Sequence, residues 1–422
     1  MGAHLDRIAA LPPDRRWAEV QRLILARALP FLAELRDERP VLVLDELTLV
    51  ARLADCMLVL RRSDTFGVDL YAPKQGGYFM AQDDTAGHWR EKSLMKAVLD
   101  VEDIPRLRAW VGQRTADLLD CGGAEFDLVR RVTRGVPVAL VQEWFGLTRS
   151  DPDRLIEWSY WNQQDAFWNQ PFDSVRPGID QPAIVAARQR ANVMMALYLG
   201  RLVTRRSIAI WLGRGGDDPA TRVVRLAMRG RLRFDRRDAL FNIGGLLIGA
   251  VETTSHAVCN ALAELASDPA RLAAARQAAQ DARPQAIDGH VFEALRFRPA
   301  FPYFFRVCHR DTPVCAGTPF ETRIPAGTTV LALTHAAMFD PAGFPDPDRF
   351  DPGRDFSDGF TFGHGHHACL GRHVAAAMVP EIVRQILRRD DLDLGAGPDF
   401  QGNPVPQRWT ATRRAQGHAA MT

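Results

Sequence analysis

Phe362-Gly363-His364-Gly365-His366-His367-Ala368-Cys369-Leu370-Gly371 is the stretch that decides the fold of this chain. One cysteine closes a loop of glycines and histidines, and a strongly helical stretch follows. At a helix entry, free N–H groups and the positive end of the dipole stabilise negative charge. That placement suits a thiolate metal ligand. The glycines let backbone approach a large flat ligand closely. Taken alone, the loop also offers His364, His366, His367 and Cys369 as a zinc set. Four ligands so close in sequence make a poor tetrahedron, and no second ligand pair follows at finger spacing.

The bulk properties narrow the class. The chain has 422 residues, 46% hydrophobic, with a formal net charge of +2. That content fills a large core, and so small a charge gives no reason to expect nucleic acid or acidic lipid as a partner. Cys56, Cys121, Cys259, Cys308, Cys315 and Cys369 form no C-x-x-C pair. Reduced thiols in the cytoplasm are expected. No long apolar h-region stands at the N-terminus, and the apolar run 243–251 is interrupted by glycines and too short to span a bilayer. No membrane association is expected.

Helical periodicity dominates. It predicts helices over 17–34, 103–119, 126–145, 182–206 and 236–266, with Gly244, Gly245 and Gly249 inside the last. Each interior glycine costs a helix up to about 1 kcal/mol relative to alanine. A cluster of them implies that something packs or binds against the backbone there. Strand signals are short, at 41–45, 306–307, 314–315, 321–324 and 329–333, and residues 341–358 form a Pro/Asp/Gly-rich coil. The expectation is a mainly α protein with small β-sheets (α+β). No linker divides residues 1–422, so a single domain is expected.

Two further motifs lie upstream of the cysteine. Glu293-Ala294-Leu295-Arg296 puts a carboxylate and a guanidinium three apart on one helix face. By itself this is often a solvated ion pair. Gly249-Ala250-Val251-Glu252-Thr253-Thr254 sets an acid and an alcohol in the glycine-bearing helix, where they could relay protons to a bound ligand.

Together, and in this order, the motifs resemble those of the cytochrome P-450 superfamily, the haem-thiolate monooxygenases. F-G-x-G-x-H-x-C-x-G is matched at every defined position from Phe362 to Gly371. The resemblance implies a long central helix over haem b, with the cysteine loop beneath it. It makes Cys369 the axial ligand of the haem iron, with Phe362, Gly363 and Gly371 around the sulfur. It implies propionate contacts from His367 and Arg306. His88 opens a related His-x-x-x-Arg motif that ends here in Lys92, which keeps the charge and loses the fork. Arg90 is the neighbouring candidate for that contact. Glu293, Arg296 and the coil residue Arg349 would form a buried structural cluster. Gly249 and Ala250 would leave room for dioxygen, Glu252 would feed protons, and Thr253 would steady the oxygen during O–O cleavage. Gly245, Ile248, Pro302 and Phe304 would line the substrate pocket.

The activity so implied is insertion of one oxygen atom from O2 into a hydrophobic small molecule. About fifty residues follow Cys369, with no flavin or iron–sulfur segment among them. A separate ferredoxin with its reductase is therefore expected as electron donor, the enzyme working as a monomer. The aromatic cluster Trp158, Tyr160, Trp161, Phe167, Trp168 and Phe172 reads as core or as a substrate roof. A hydrogen-peroxide-driven peroxygenase on the same fold is the nearest alternative. A non-catalytic haem or zinc protein is the alternative from another class.

Overall fold

The computed structural model describes residues 2–83, 85–230, 232–357 and 359–414. Its centre is the helix Arg236–Ala266, with the bounds expected from periodicity. Asp235 accepts from Arg237 N and Asp238 N, and Asp238 accepts from Asp235 N, a reciprocal capping box. Asp268-Pro269 then opens the next helix and prevents continuation. Buried residues lie on nearly every face, as expected of a helix threaded through the core. It packs on helices Pro152–Trp168, Asp288–Phe297 and Arg372–Leu387. The last of these follows the cysteine loop and lies against Ile104–Asp120.

A five-stranded sheet flanks the helices in the order Val41–Val43, Thr48–Val50, Thr329–Ala332, Phe304–Cys308, Phe66–Gly67. Its pairs are antiparallel except Thr48–Val50 with Thr329–Ala332. Strand alternation puts Phe304 and Arg306 on one face and Phe305 on the other. Phe305 stacks on Tyr71 at 4.3 Å in the second core.

Two expected helices differ. The segment 17–34 breaks into Pro13–Leu25 and Leu29–Glu38. Arg27 turns the chain there in the left-handed region at φ 56°, and Pro30 seeds the next helix. The segment 126–145 starts as the strand Glu125–Asp127. It then runs through wide π-helical turns at Val129–Thr133 and Leu140–Trp144 around Gly135–Ala139. Such turns are rare overall but frequent at functional sites, and Arg134 sits between them.

Candidate active site

A cavity of about 710 Å³ lies between the central helix and the cysteine loop. Cys369 lines its floor, with Phe362, Gly363, His367 and Gly371. Cys369 N donates to Phe362 O at 2.8 Å, closing the loop on itself. Gly363 and Gly365 both take φ 67°, open to glycine. A Cβ on Gly365 would stand 2.6 Å from Leu60 O, so the loop rests directly on backbone there. The Cys369 surface is exposed to the cavity but enclosed by protein. Burial pushes its thiol pKa up, against the Gly371 N–H, Lys92 and Arg372, which favour the thiolate. The loop's histidines and Cys369 do not gather as a zinc set. Among the described residues, the one group of three ligand atoms within 4.8 Å is Asp69, Asp83 and His309.

Two basic side chains at the cavity edge lack the partners their burial demands. Arg306 is 5% exposed and has no carboxylate at ion-pair distance among the described residues. Its Nη1 donates to Phe305 O, its own neighbour, at 2.7 Å, the Tyr71 hydroxyl is a second, neutral partner, and desolvation lowers its pKa. Both ring nitrogens of His367 are buried without a partner, and burial, then Arg306, pushes its pKa down to about 2. An anionic group entering beside these two would satisfy both. The carboxylates of a haem meet that requirement, with a thiol at the centre of the floor.

The opposite wall is the central helix. Gly245, Ile248, Gly249, Ala250 and Thr253 line it. A Cβ on Gly245 would meet Tyr78 Cζ at 2.4 Å, whereas one on Gly249 would meet nothing within 4 Å. Side chains engage the helix backbone at this level. Ile248 O accepts from Gln163 Nε2 at 2.8 Å and Ser159 Oγ at 3.2 Å, and Thr253 Oγ1 donates to Gly249 O at 2.5 Å. Glu252 N points to Ser159 Oγ at 3.5 Å.

Glu252 itself does not line the cavity. Arg134 Nη2 donates to its Oε2 at 2.9 Å, and Arg134 Nε lies 2.9 Å from Oε1. Burial raises the Glu252 pKa, opposed by Arg134. Arg134, 118 positions away, carries no sequence signal for this role.

Several expected placements need correction. His88 does not line the cavity. Its Nδ1 is held by Phe79 O at 2.9 Å, and its ring stacks on His366 at 3.7 Å, behind His367. Burial pushes its pKa down to about 4. Neither Lys92 nor Arg90 lines the cavity. Lys92 Nζ donates to His366 O and, at 3.0 Å, to Ala368 O, so it clamps the cysteine loop from outside. Arg90 leans on Glu91 at 3.8 Å. Pro302 lines a second cavity instead, and its carbonyl accepts from His335 N at 2.9 Å.

The Glu293–Arg296 pair is fully buried, with bonds of 2.8 and 2.9 Å. Arg349 contributes only its carbonyl, 3.3 Å from Arg296 Nη2, while its side chain is 69% exposed. The guanidinium facing Glu293 belongs to Arg354, at 3.5 Å and 6% exposed. The coil turns at Asp351, whose N donates to Glu293 at 2.9 Å, and this swings Arg354 inward. Of the aromatic cluster, Phe167 lines the cavity, and Trp158 and Phe172 pack in the cores.

The comparisons agree with this geometry. The family model described as Cytochrome P450 matches residues 221–401. Erythromycin C-12 hydroxylase of Saccharopolyspora erythraea is 31% identical over 350 residues, 81% of each chain. Cytochrome P450 monooxygenase PikC of Streptomyces venezuelae is 30% identical over 352 residues, 80% of this chain and 77% of that one. The ligand-free structure of cytochrome P450 TbtJ1 superposes with a TM-score of 0.77 at 25% identity, covering 92% of this chain and 97% of that one. A mutant of P450 EryK in complex with erythromycin B gives 0.73 at 25% identity, with 93% and 97% covered. With its long helix, its cysteine loop and these relatives, this chain belongs to the cytochrome P450 family of haem-dependent monooxygenases.

Proposed function

We propose that the chain inserts one atom of dioxygen into a hydrophobic small molecule, with Cys369 as the axial ligand of haem b. The observation that carries this reading is one cavity with a thiol on its floor, a buried Arg306 without a carboxylate at ion-pair distance at its edge, and the Gly249–Thr253 opening opposite. Haem, when bound, supplies one-electron redox chemistry and dioxygen activation. The second oxygen atom leaves as water, with two electrons and two protons supplied from outside.

The chain's own residues bind, orient and move protons. Arg306 and His367 hold the haem carboxylates. Gly371 N–H, Lys92 and Arg372 favour the charged sulfur. Gly249 leaves space over the floor, and Thr253, anchored on Gly249 O, sets a hydroxyl beside it. Glu252 is the proton source. Its carboxyl must swing from Arg134 towards Thr253 to act, so the ion pair sets its resting position. Gly245, Ile248, Phe304, Phe167 and Phe301 offer an apolar surface to substrate, with Asn162 and Gln163 as neutral hydrogen-bonding groups. An apolar molecule bearing hydroxyl or carbonyl groups fits that lining.

Electrons come from a separate ferredoxin and its reductase. Exposed Arg372 and Arg388 beyond the cysteine suit an acidic partner, whereas Arg384 is buried against Glu381 at 3.2 Å. Unpaired thiols at all six cysteines suit the cytoplasm. No helix among the described residues is long and apolar enough to cross a membrane.

The test is the spectrum of the reduced, carbon-monoxide-bound protein. A strongly red-shifted Soret band is expected, and Cys369→Ala loses both the band and oxygen insertion. Full activity in that variant would sink the assignment. A peroxide-driven reaction is favoured by one observation, the absence of Glu252 from the cavity lining. Greater product yield with hydrogen peroxide than with a ferredoxin system would select it.

A further inference from the structure

A second cavity of about 320 Å³ lies beyond Pro299 and Ala300, which wall both spaces. It is lined by Arg27, Arg176, His256, Trp168, Phe400 and Asn403, among others. Neither arginine forms an ion pair with a carboxylate among the described residues. Arg27 makes a 3.4 Å contact to Asn260 Oδ1, and its guanidinium lies 6.0 Å from the Phe400 ring centroid. Arg176 donates to Trp168 O and keeps a buried Nε without a partner. The nearest acids are shared: Asp173 feels the charge of Arg176 and Glu264 that of Arg27, without ion-pair contact. Glu264 pairs with Arg271 at 2.7 Å, and Asp173 accepts from Gln21 and Gln170 N at 2.8 Å each. Burial, then the charge of Arg298, pushes the Arg27 pKa down to about 10, with Glu264 opposing.

His256 supplies an independent sign. It is 2% exposed, lines this cavity, and leaves both ring nitrogens without a hydrogen-bond partner. A buried imidazole in that condition lacks about two hydrogen bonds that a polar ligand would supply. Two guanidiniums without an ion-pair contact, an unsatisfied imidazole and flat apolar walls of Trp168, Phe400 and Pro302 define the complement.

We infer that this second cavity is a binding site for an organic carboxylate with an apolar body, separate from the haem cavity. The carboxylate faces Arg27 and Arg176, and the body lies against Trp168 and Phe400. Two cations lining one half-buried cavity bind a carboxylate more strongly than a neutral isostere because desolvation has already weakened their hydration. Trp168 stacks on Phe301 at 5.9 Å, and Phe301 lines the haem cavity, so an occupied site touches the substrate wall through one aromatic pair.

The experiment uses the haem-loaded protein with its iron saturated by 4-phenylimidazole, which occupies the main cavity. Titration with 2-naphthoate is followed by calorimetry. A single saturable site is expected. 2-Naphthamide should bind at least tenfold more weakly, and Arg27→Gln and Arg176→Gln should each weaken naphthoate at least tenfold while the carbon-monoxide band is kept. If Arg27→Gln fails to load haem, Arg176→Gln, on a separate segment, decides by itself. Equal binding of acid and amide, unchanged affinity in the arginine variants, or no binding to the unsubstituted protein would overturn the proposal. So would loss of naphthoate on azole binding, which would place it in the haem cavity. Inorganic phosphate competing as well as naphthoate would reduce the site to a simple anion pocket and overturn it too.

Discussion

Arg134 holds Glu252 by two contacts of 2.9 Å and turns its carboxylate out of the cavity that Thr253, the next residue, lines. The acid and the alcohol of one motif therefore face different surroundings, with Glu252 buried to 3% exposure. Removing Arg134 strands that carboxylate.

Arg134→Gln should cost about 3–5 kcal/mol of stability near pH 8, the cost of an unpaired buried charge. Without its partner, the folded-state carboxyl pKa climbs further above the ordinary 4.5. A group raised in this way binds more protons folded than unfolded, so its stability penalty appears as pH rises through that pKa. The loss should therefore shrink near pH 5, and the double variant with Glu252→Gln should recover most of it. Urea denaturation at the two pH values measures this; equal losses at both would refute it.

Arg354 and Arg349 should behave oppositely. Arg349→Ala removes an exposed side chain and should change stability by less than about 0.5 kcal/mol. Arg354→Ala removes a buried guanidinium that also donates to Pro345 O at 2.7 Å, and should cost about 2–4 kcal/mol. Denaturant midpoints of the two variants give the comparison.

Gly249→Ala should separate stability from activity. The new methyl meets no atom within 4 Å and fits the helix, so melting should be unchanged or gain up to about 1 kcal/mol. The same methyl projects over the cysteine floor, and turnover should fall. Gly245→Ala instead drives Cβ against Tyr78 and should lower the melting temperature. Retained turnover in Gly249→Ala would mean that the open space is not used.

Acid should destabilise the fold through buried neutral histidines. His256 and His335 have pKa values pushed down from 6.5 to about 3 by burial, then by Arg27. Below about pH 6.5 the unfolded chain binds these protons and the folded chain does not. Stability is complete above that value and is lost down to about pH 3. His335→Asn should flatten the slope between those limits by up to about 1.4 kcal/mol per pH unit. Denaturation midpoints across the range test it, and an unchanged slope would count against a neutral buried His335.

Local signals in the sequence were legible where local physics sets the structure. The central helix has a capping box at one end and Asp-Pro at the other, so its bounds could be read. The cysteine loop needs its glycines for positive φ, while Arg306 is named by the resemblance and strand alternation then sets its face. What could not be read is set by distant partners. Lys92 finds the loop carbonyls 274 and 276 positions away, and its replacement of arginine gave no hint of that target. Arg354 and Arg349 lie in the same Pro/Asp/Gly-rich coil, and only the turn at Asp351 separates their roles. The break at Arg27 rests on one left-handed residue that periodicity does not report.

The clamp on the cysteine loop has a consequence for biogenesis. Gly365 lies on the carbonyl of Leu60, Lys92 grips the loop from another helix, and Phe362 O fixes Cys369 N. Contacts of such long sequence separation carry a large loop-closure cost and slow folding. The position of the sulfur is thus defined only once the segments bearing Leu60 and Lys92 have docked on the loop. A cofactor that binds only the assembled loop would then draw the whole fold forward by mass action.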